Sequence, residues 1–271
     1  MSQRDNSRVA LQARLEEALA NRVPAVVATL VKGEPLGAKI LLLPDEVQGT
    51  LGNAVLDVTV EPEARELLLA EKSETRAYQL PGRDEAVEVF IESYPPPPTL
   101  LIFGAVHVAQ PLSRFAKALG FDVIVSDARA KLATRERFPD ADRIIRGWPD
   151  ETLEQVDILP NTYVAILSHD PKFDEPALVG TLNTPAAYIG AIGSRKTNED
   201  RRRRLAEAGM SPEQVARMRA PIGLDIGAAT PEEMAISILG EIIALRRGRS
   251  GGLLTNATGN IRGERLPAAG A

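Results

Sequence analysis

Two histidines are the only imidazoles in the chain, His107 and His169, and each follows a short apolar run, LIF at 101–103 and VAIL at 164–167. A side chain that titrates near neutral pH at the end of a buried strand suits a general acid or base, a metal ligand or an anion contact. Asp170 stands beside the second histidine. In an open parallel sheet of order 3-2-1-4-5, strands one and four flank the point where the connections diverge, so both histidines would face one crevice. Each could equally do no more than tie down its own loop.

Three further segments have phosphate- or anion-binding character. The first is GAVHVA at 104–109. Gly104 occupies the tight first turn between strand and helix, where backbone amides are free to meet an anion. Val106 replaces the second glycine of the G-x-G-x-x-G dinucleotide fingerprint and Ala109 the third. Asp127 ends the next apolar run, 23 residues after Gly104, close to the spacing of a ribose-binding carboxylate. The side chain of Val106 adds bulk in the pyrophosphate path, so NAD(P) is expected to bind weakly or not at all.

The second segment is AAYIGAIGSRKTNEDRRRR at 186–204. Gly190 and Gly193 bracket a strand end, Ser194 can cap the helix that follows, and Arg195 and Lys196 add positive charge at its amino end. The run Arg201 to Arg204 reads as a solvated helix face. The third segment is PIGLDIGAATPEE at 221–233, in which Gly223, Asp225 and Gly227 form a polar loop before a capped helix. Such a loop closes over a ligand or simply turns the chain.

The elements that must position these residues fall into two halves. Pro95 to Pro98 are four consecutive prolines, which neither continue a helix nor sit in a sheet; the domain boundary is placed there. Over 1–94 the pattern gives a helix at 7–21, strands at 25–31 and 38–43, a turn region, a helix at 54–71, and strands at 75–80 and 86–94. This is a small α+β domain. Over 99–247, short apolar strands at 100–103, 121–126, 143–146, 163–167 and 187–192 alternate with helical stretches. That rhythm predicts an α/β, Rossmann-like, doubly wound parallel sheet covered on both faces. Val108, Leu112, Phe115 and Leu119 lie along one helical face, with Gly120 as the terminating glycine. Ser211-Pro212-Glu213-Gln214 and Thr230-Pro231-Glu232-Glu233 mark two helix starts. Residues 248–271, rich in Gly, Asn and Ala, are expected to form a mobile tail.

Composition narrows the function classes. Hydrophobic residues make up 44% and charged residues 25% of 271, an ordinary globular balance. Cysteine is absent, which removes disulfides, zinc–thiolate sites, iron–sulfur clusters and thiol nucleophiles. A net charge of −5 and only 4% aromatic residues argue against nucleic acid as the main partner. The first 22 residues lack the apolar core of a signal peptide, and no apolar run is long enough to span a bilayer. A cytoplasmic location with no membrane partner is expected.

Taken together, these segments resemble the XdhC/CoxI proteins, the xanthine dehydrogenase accessory factors. The resemblance is carried by LIFGAVHVAQ at 101–110, the D-x-R of Asp127 to Arg129 with ERFP at 136–139, and Ser168-His169-Asp170. It continues through YIGAIGSRK at 188–196 and PIGLDIGAATPEE at 221–233, and more weakly through GAKILLL at 37–43 and GTLGNAVLD at 49–57. It implies a protein that binds molybdenum cofactor (molybdopterin) and assists its sulfuration and delivery to a molybdenum hydroxylase, a carrier and chaperone more than a catalyst. A cysteine desulfurase partner and a homodimer belong to the same expectation. The cofactor site so implied draws on Gly104, Val106, His107, Asp127, Arg129, His169, Asp170, Gly193, Ser194, Arg195 and Asp225. The sequence departs from the family where G-A-G-H becomes Gly104-Ala105-Val106-His107, and where a serine-glycine-glycine-cysteine stretch becomes Leu51-Gly52-Asn53-Ala54. An NAD(P)-dependent oxidoreductase on the same Rossmann-like domain is the alternative, with Asp127 on the ribose.

Overall fold

The computed structural model describes residues 3–82 and 85–258. The chain divides into two compact units, the first ending at Pro97 and the second starting at Pro98.

The first unit contains α1 (Gln3–Ala20), β1 (Ala25–Lys32), β2 (Lys39–Leu42), β3 (Val47–Thr50), α2 (Ala54–Leu69), β4 (Glu74–Tyr78) and β5 (Val87–Tyr94). Its sheet has the order β3-β2-β1-β5-β4, with antiparallel neighbours throughout. Alternation along β1 serves two layers at once. Val26, Ala28 and Leu30 pack with Leu56 and Val60 of α2, while Ala25 and Val27 pack with Leu11 and Leu15 of α1. Asn53 caps α2, its side chain accepting from the amides of Val55 and Leu56. The strand β3 falls inside the stretch read from sequence as a turn region. It is an edge strand with no buried residue, so it carries no apolar alternation to read.

The second unit contains β6 (Thr99–Phe103), α3 (Ala109–Ala118), β7 (Asp122–Ser126), β8 (Arg143–Ile145), α4 (Pro149–Leu153), β9 (Thr162–Ile166), α5 (Pro171–Leu182) and β10 (Tyr188–Ala191). It is completed by α6 (Arg195–Glu207), α7 (Pro212–Ala216), β11 (Met218–Arg219) and α8 (Pro231–Arg246). The sheet is parallel at every pairing, in the order β11-β10-β9-β6-β7-β8. Counted within this unit, that is the doubly wound order 6-5-4-1-2-3, with the topological switch between β6 and β9. The apolar run of β6 explains its central place. Leu100 and Ile102 pack toward α3 and α8, whereas Leu101 and Phe103 pack toward α5, and all four are fully buried. The capping boxes expected at Ser211 and Thr230 are present.

The α3 face is shorter than its spacing suggests. Val108 and Leu112 are buried and Phe115 packs against them. Leu119 is exposed, because the helix ends at Ala118 and Gly120, at φ +83°, turns the chain into β7. Beyond α8, Gly251 lies against Leu224; the rest of the expected tail, 259–271, falls outside the described residues.

Candidate functional site

The carboxyl ends of β6 and β9 meet at the switch point. Phe103 is in register with Ile166, and the Leu167 amide donates to the Phe103 carbonyl at 2.8 Å. The next residue on β6, Gly104, has φ +101°, and a Cβ there would stand 2.9 Å from the Ser168 amide nitrogen. The GAVHVA turn can therefore pass this close to the Ser168-His169-Asp170 loop only with glycine at 104. Ala109 and Gln110 make the first turn of α3 through the carbonyls of Val106 and His107. The amides of Val106, His107 and Val108 have no acceptor among the described residues, and Val108 at the N-cap position offers no side-chain bond. The other long helices of this unit are capped by Asp170, Ser194 and Thr230. The open amides make α3 the natural place for an external anion.

Asp127 holds this turn in place. Its carboxylate is buried and accepts from the Ala105 amide at 2.7 Å, the Arg129 amide at 2.8 Å, and Arg129 Nε and Nη2 at 2.9 and 2.8 Å. Burial alone would raise its pKa, but the hydrogen bonds from the Arg129 side chain and from the two amides outweigh it and hold the carboxyl below the usual range. The oxygens a ribose diol would need are thus already engaged. Arg129, with its side chain 57% exposed, is gripped along one edge and leaves the other to solvent. Val106 is half-buried against the α3 and α8 core.

The loop after β10 is held from below. Ser194 caps α6 by accepting from the Thr197 amide at 3.1 Å, and Gly193 has φ +135°. Arg195 and Lys196 are exposed at the start of α6. Within the helix, Asn198 Nδ2 donates to the Gly193 carbonyl at 3.0 Å and Arg201 Nη1 donates to the Ile192 carbonyl at 2.9 Å. Arg201 also donates to Asn198 Oδ1, and its Nη2 meets Asp174 Oδ2 of α5 at 2.7 Å. Arg201 and Asp174 are 2% and 1% exposed. The run Arg201 to Arg204 is therefore not one solvated face. Its first member is a buried ion-pair donor and only Arg203 lies well out in solvent, because Asp174 and two loop carbonyls wait on the sheet side of α6. Sequence spacing gives no sign of this partnership across two helices.

Burial raises the Asp174 carboxyl to about 6 against the pull of Arg201. The folded chain then keeps a proton that the unfolded chain, near the ordinary value of 3.8, has released, so this group makes stability fall as pH rises from about 4 to 6. Urea unfolding across that window should show a steeper fall for the native chain than for Asp174→Asn. The difference in slope should approach about 1.4 kcal/mol per pH unit; equal slopes would remove Asp174 as the titrating group.

The last loop is fastened by Glu241 of α8, whose Oε2 accepts from Tyr188 OH at 2.5 Å and from the Gly223 amide at 2.7 Å. Asp225 is exposed at its tip. His107, His169 and Asp170 are also exposed, and neither histidine side chain has a hydrogen bond or ion pair among the described residues. Of the residues named for the implied cofactor site, all but Asp225 lie on the turns that leave the carboxyl ends of β6, β7, β9 and β10 or, for Arg195, at the first position of α6; Asp225 lies on the loop beyond β11. Among the described residues no group of three or more His, Asp or Glu forms a metal-binding cluster, and no helix is long and apolar enough to cross a membrane. A cavity of about 190 Å³ lined by Tyr188, Arg217, Arg219 and Leu245 includes none of these loop residues.

Comparison with known proteins returns one consistent group. The XdhC Rossmann domain profile matches residues 100–242. The Escherichia coli (strain K12) protein YqeB is 35% identical over 170 residues, 62% of this chain and 31% of YqeB. A Bacillus subtilis (strain 168) protein, named as a probable xanthine dehydrogenase subunit, is 33% identical over 62% of this chain and 49% of its own length. The Escherichia coli (strain K12) "Molybdenum cofactor insertion chaperone PaoD" is 26% identical over 69% of this chain and 50% of its own length. The chain thus spans half or less of these relatives. Among solved structures, a xanthine dehydrogenase from Bacillus halodurans superposes with a TM-score of 0.53 at 25% identity, covering 88% of this chain and 96% of that one.

Proposed function

This chain belongs to the XdhC family, and from that premise we propose that it is a maturation factor that holds molybdenum cofactor as cargo and passes it to a xanthine dehydrogenase-type molybdenum hydroxylase. The single observation that carries the reading is the run of open amides at Val106, His107 and Val108, set beside Gly104 at the switch point. A phosphate-bearing pterin is the kind of anion such a turn receives. Arg129, fixed by Asp127, and Arg195 at the start of α6 would add charge-assisted contacts. His107 and His169 would reach the cargo from the two sides of the switch. The cargo brings the molybdenum chemistry; these residues bind and orient it. With no cysteine in the chain, sulfur would have to come from outside, and a cysteine desulfurase is the donor this reading names. A homodimer is also part of the reading.

The test is the content of the protein purified from a host that makes the cofactor, read as molybdenum by mass spectrometry and as fluorescent oxidised pterin. Both should co-purify, and the loaded protein should activate a cofactor-free molybdenum hydroxylase. His107→Ala and His169→Ala should each lower retained pterin about tenfold, the loss of one charge-assisted hydrogen bond, with the melting temperature unchanged. Absence of pterin together with micromolar NADH binding would replace this reading by an NAD(P)-dependent oxidoreductase. The engaged carboxylate of Asp127 speaks against that outcome.

A further inference from the structure

The side chains of Asp174, Arg201 and Asn198 lie beneath two loops of the switch-point site, reaching backbone carbonyls of one and the Ser168 hydroxyl of the other. On one side, Arg201 Nη1 and Asn198 Nδ2 donate to the carbonyls of Ile192 and Gly193, immediately before Ser194 and Arg195. On the other, Arg201 Nη2 binds Asp174 Oδ2, and the Asp174 carboxyl is approached by the hydroxyl of Ser168, next to His169, on the helix whose first turn is closed from the Asp174 amide to the Asp170 carbonyl. The three residues are 0–2% exposed. From this geometry we infer that they are positioning residues, a cross-brace that fixes the His169-Asp170 loop and the Gly193-Ser194-Arg195 loop relative to each other.

Stability alone is a poor reason to bury such a pair, since an ion pair enclosed in protein is often matched or bettered by apolar residues of the same volume. This pair is not even fully compensated. Asp174 Oδ1 is buried without a well-directed hydrogen bond, although the Ser168 hydroxyl approaches the carboxyl. What apolar residues cannot replace is the fork of the guanidinium, which reaches a loop carbonyl and a carboxylate of a second helix in one fixed plane. A lysine could reach one of them at a time. The brace rests on the reading of these loops as a cargo site only for its purpose; the mechanical coupling is a property of the chain itself.

The experiment separates the two. Asp174→Leu/Arg201→Met in the full-length chain removes both charges, and its melting temperature should stay near that of the native protein. Deuterium exchange without any ligand should then accelerate about tenfold or more in peptides covering 167–173 and also in those covering 191–198, with 105–120 unchanged. Molybdopterin retained on purification should fall in parallel, and Arg201→Lys should recover part of it. Native-like exchange in both segments of a folded double variant would overturn the brace. Should the double variant fail to fold, Asn198→Leu decides: the brace requires faster exchange in 191–198, and an unchanged rate there would overturn it. If the native protein holds no molybdopterin, the proposed cargo is wrong while the exchange result still stands.

Discussion

Arg201→Met alone lowers the unfolding free energy by about 3–5 kcal/mol in chemical denaturation, because the carboxylate of Asp174 stays behind, buried and unpaired. The carbonyl of Ile192 and Oδ1 of Asn198 lose their donor in the same change. Arg203→Met, two residues along the same run, is the control. Its side chain is 65% exposed and, among the described residues, pairs with half-buried Asp200 and exposed Glu207, so its effect should stay within about 0.5 kcal/mol. The comparison reads burial directly, since the four arginines are identical in type and adjacent in sequence. Equal losses for the two variants would mean that Arg201 is as solvated as its neighbours. Restoration of stability on adding Asp174→Leu to Arg201→Met would show that the penalty came from the stranded charge.

Gly104→Ala carries the second large effect, about 3 kcal/mol. Part of it is conformational, since a side chain at φ +101° sits outside the ordinary regions and costs about 1–2 kcal/mol. The rest is contact: the new Cβ meets the backbone nitrogen of Ser168 at 2.9 Å and the Leu167 carbonyl carbon at 3.3 Å. Backbone at the end of a central strand has little room to give, and such overpacking adds about 1–3 kcal/mol. Gly120→Ala isolates the first part. Gly120 also has positive φ, at +83°, but nothing lies within 4 Å of its added Cβ, so about 1 kcal/mol is expected there. Thermal melts of the two variants check the difference. A loss at Gly104 no greater than at Gly120 would mean that the two loops are not in close approach. On the proposed function the same substitution should also lower the pterin retained on purification, because it pushes the turn bearing His107 away from the loop bearing His169.

Much of the second unit was legible in the sequence because central parallel strands are buried on both faces and so appear as unbroken apolar runs. Leu100 to Phe103 is the clearest case, and its place beside the Tyr163 to Leu167 run put the two histidines at neighbouring strand ends. Two edge strands, β3 and β11, escaped the same reading, whereas β4 and β8 at the opposite edges were among the strands read. Val47–Thr50 has no buried residue, and Met218–Arg219 is only two residues long, too short for any periodicity. The polar interior escaped for another reason. Asp127 was visible as a carboxylate at a strand end, but its grip on the Ala105 amide and on Arg129 depends on how two turns fold over each other. Arg201 and Asp174 lie 27 residues apart on different helices, and local pattern is blind to that pairing. Glu241, fastening Tyr188 and Gly223, was missed likewise.

On the proposed function, the start of α3 would give the second unit a way to register whether it is full. The other long helices there begin with a hydroxyl or carboxylate of their own, whereas this one begins at Val108 with nothing to complete it. The amides of Ala109 and Gln110 are already engaged and Pro111 has none to offer, so the donors left open are those of Val106, His107 and Val108 in the turn before the helix, and an anion seated on them would tie that turn down from outside. A cargo bound there would become a temporary part of the second unit: loading would tighten the turn that leads into the helix, and release would let it loosen. A receiving enzyme that presses on this end of the sheet could tell a full carrier from an empty one by stiffness, without touching what it carries.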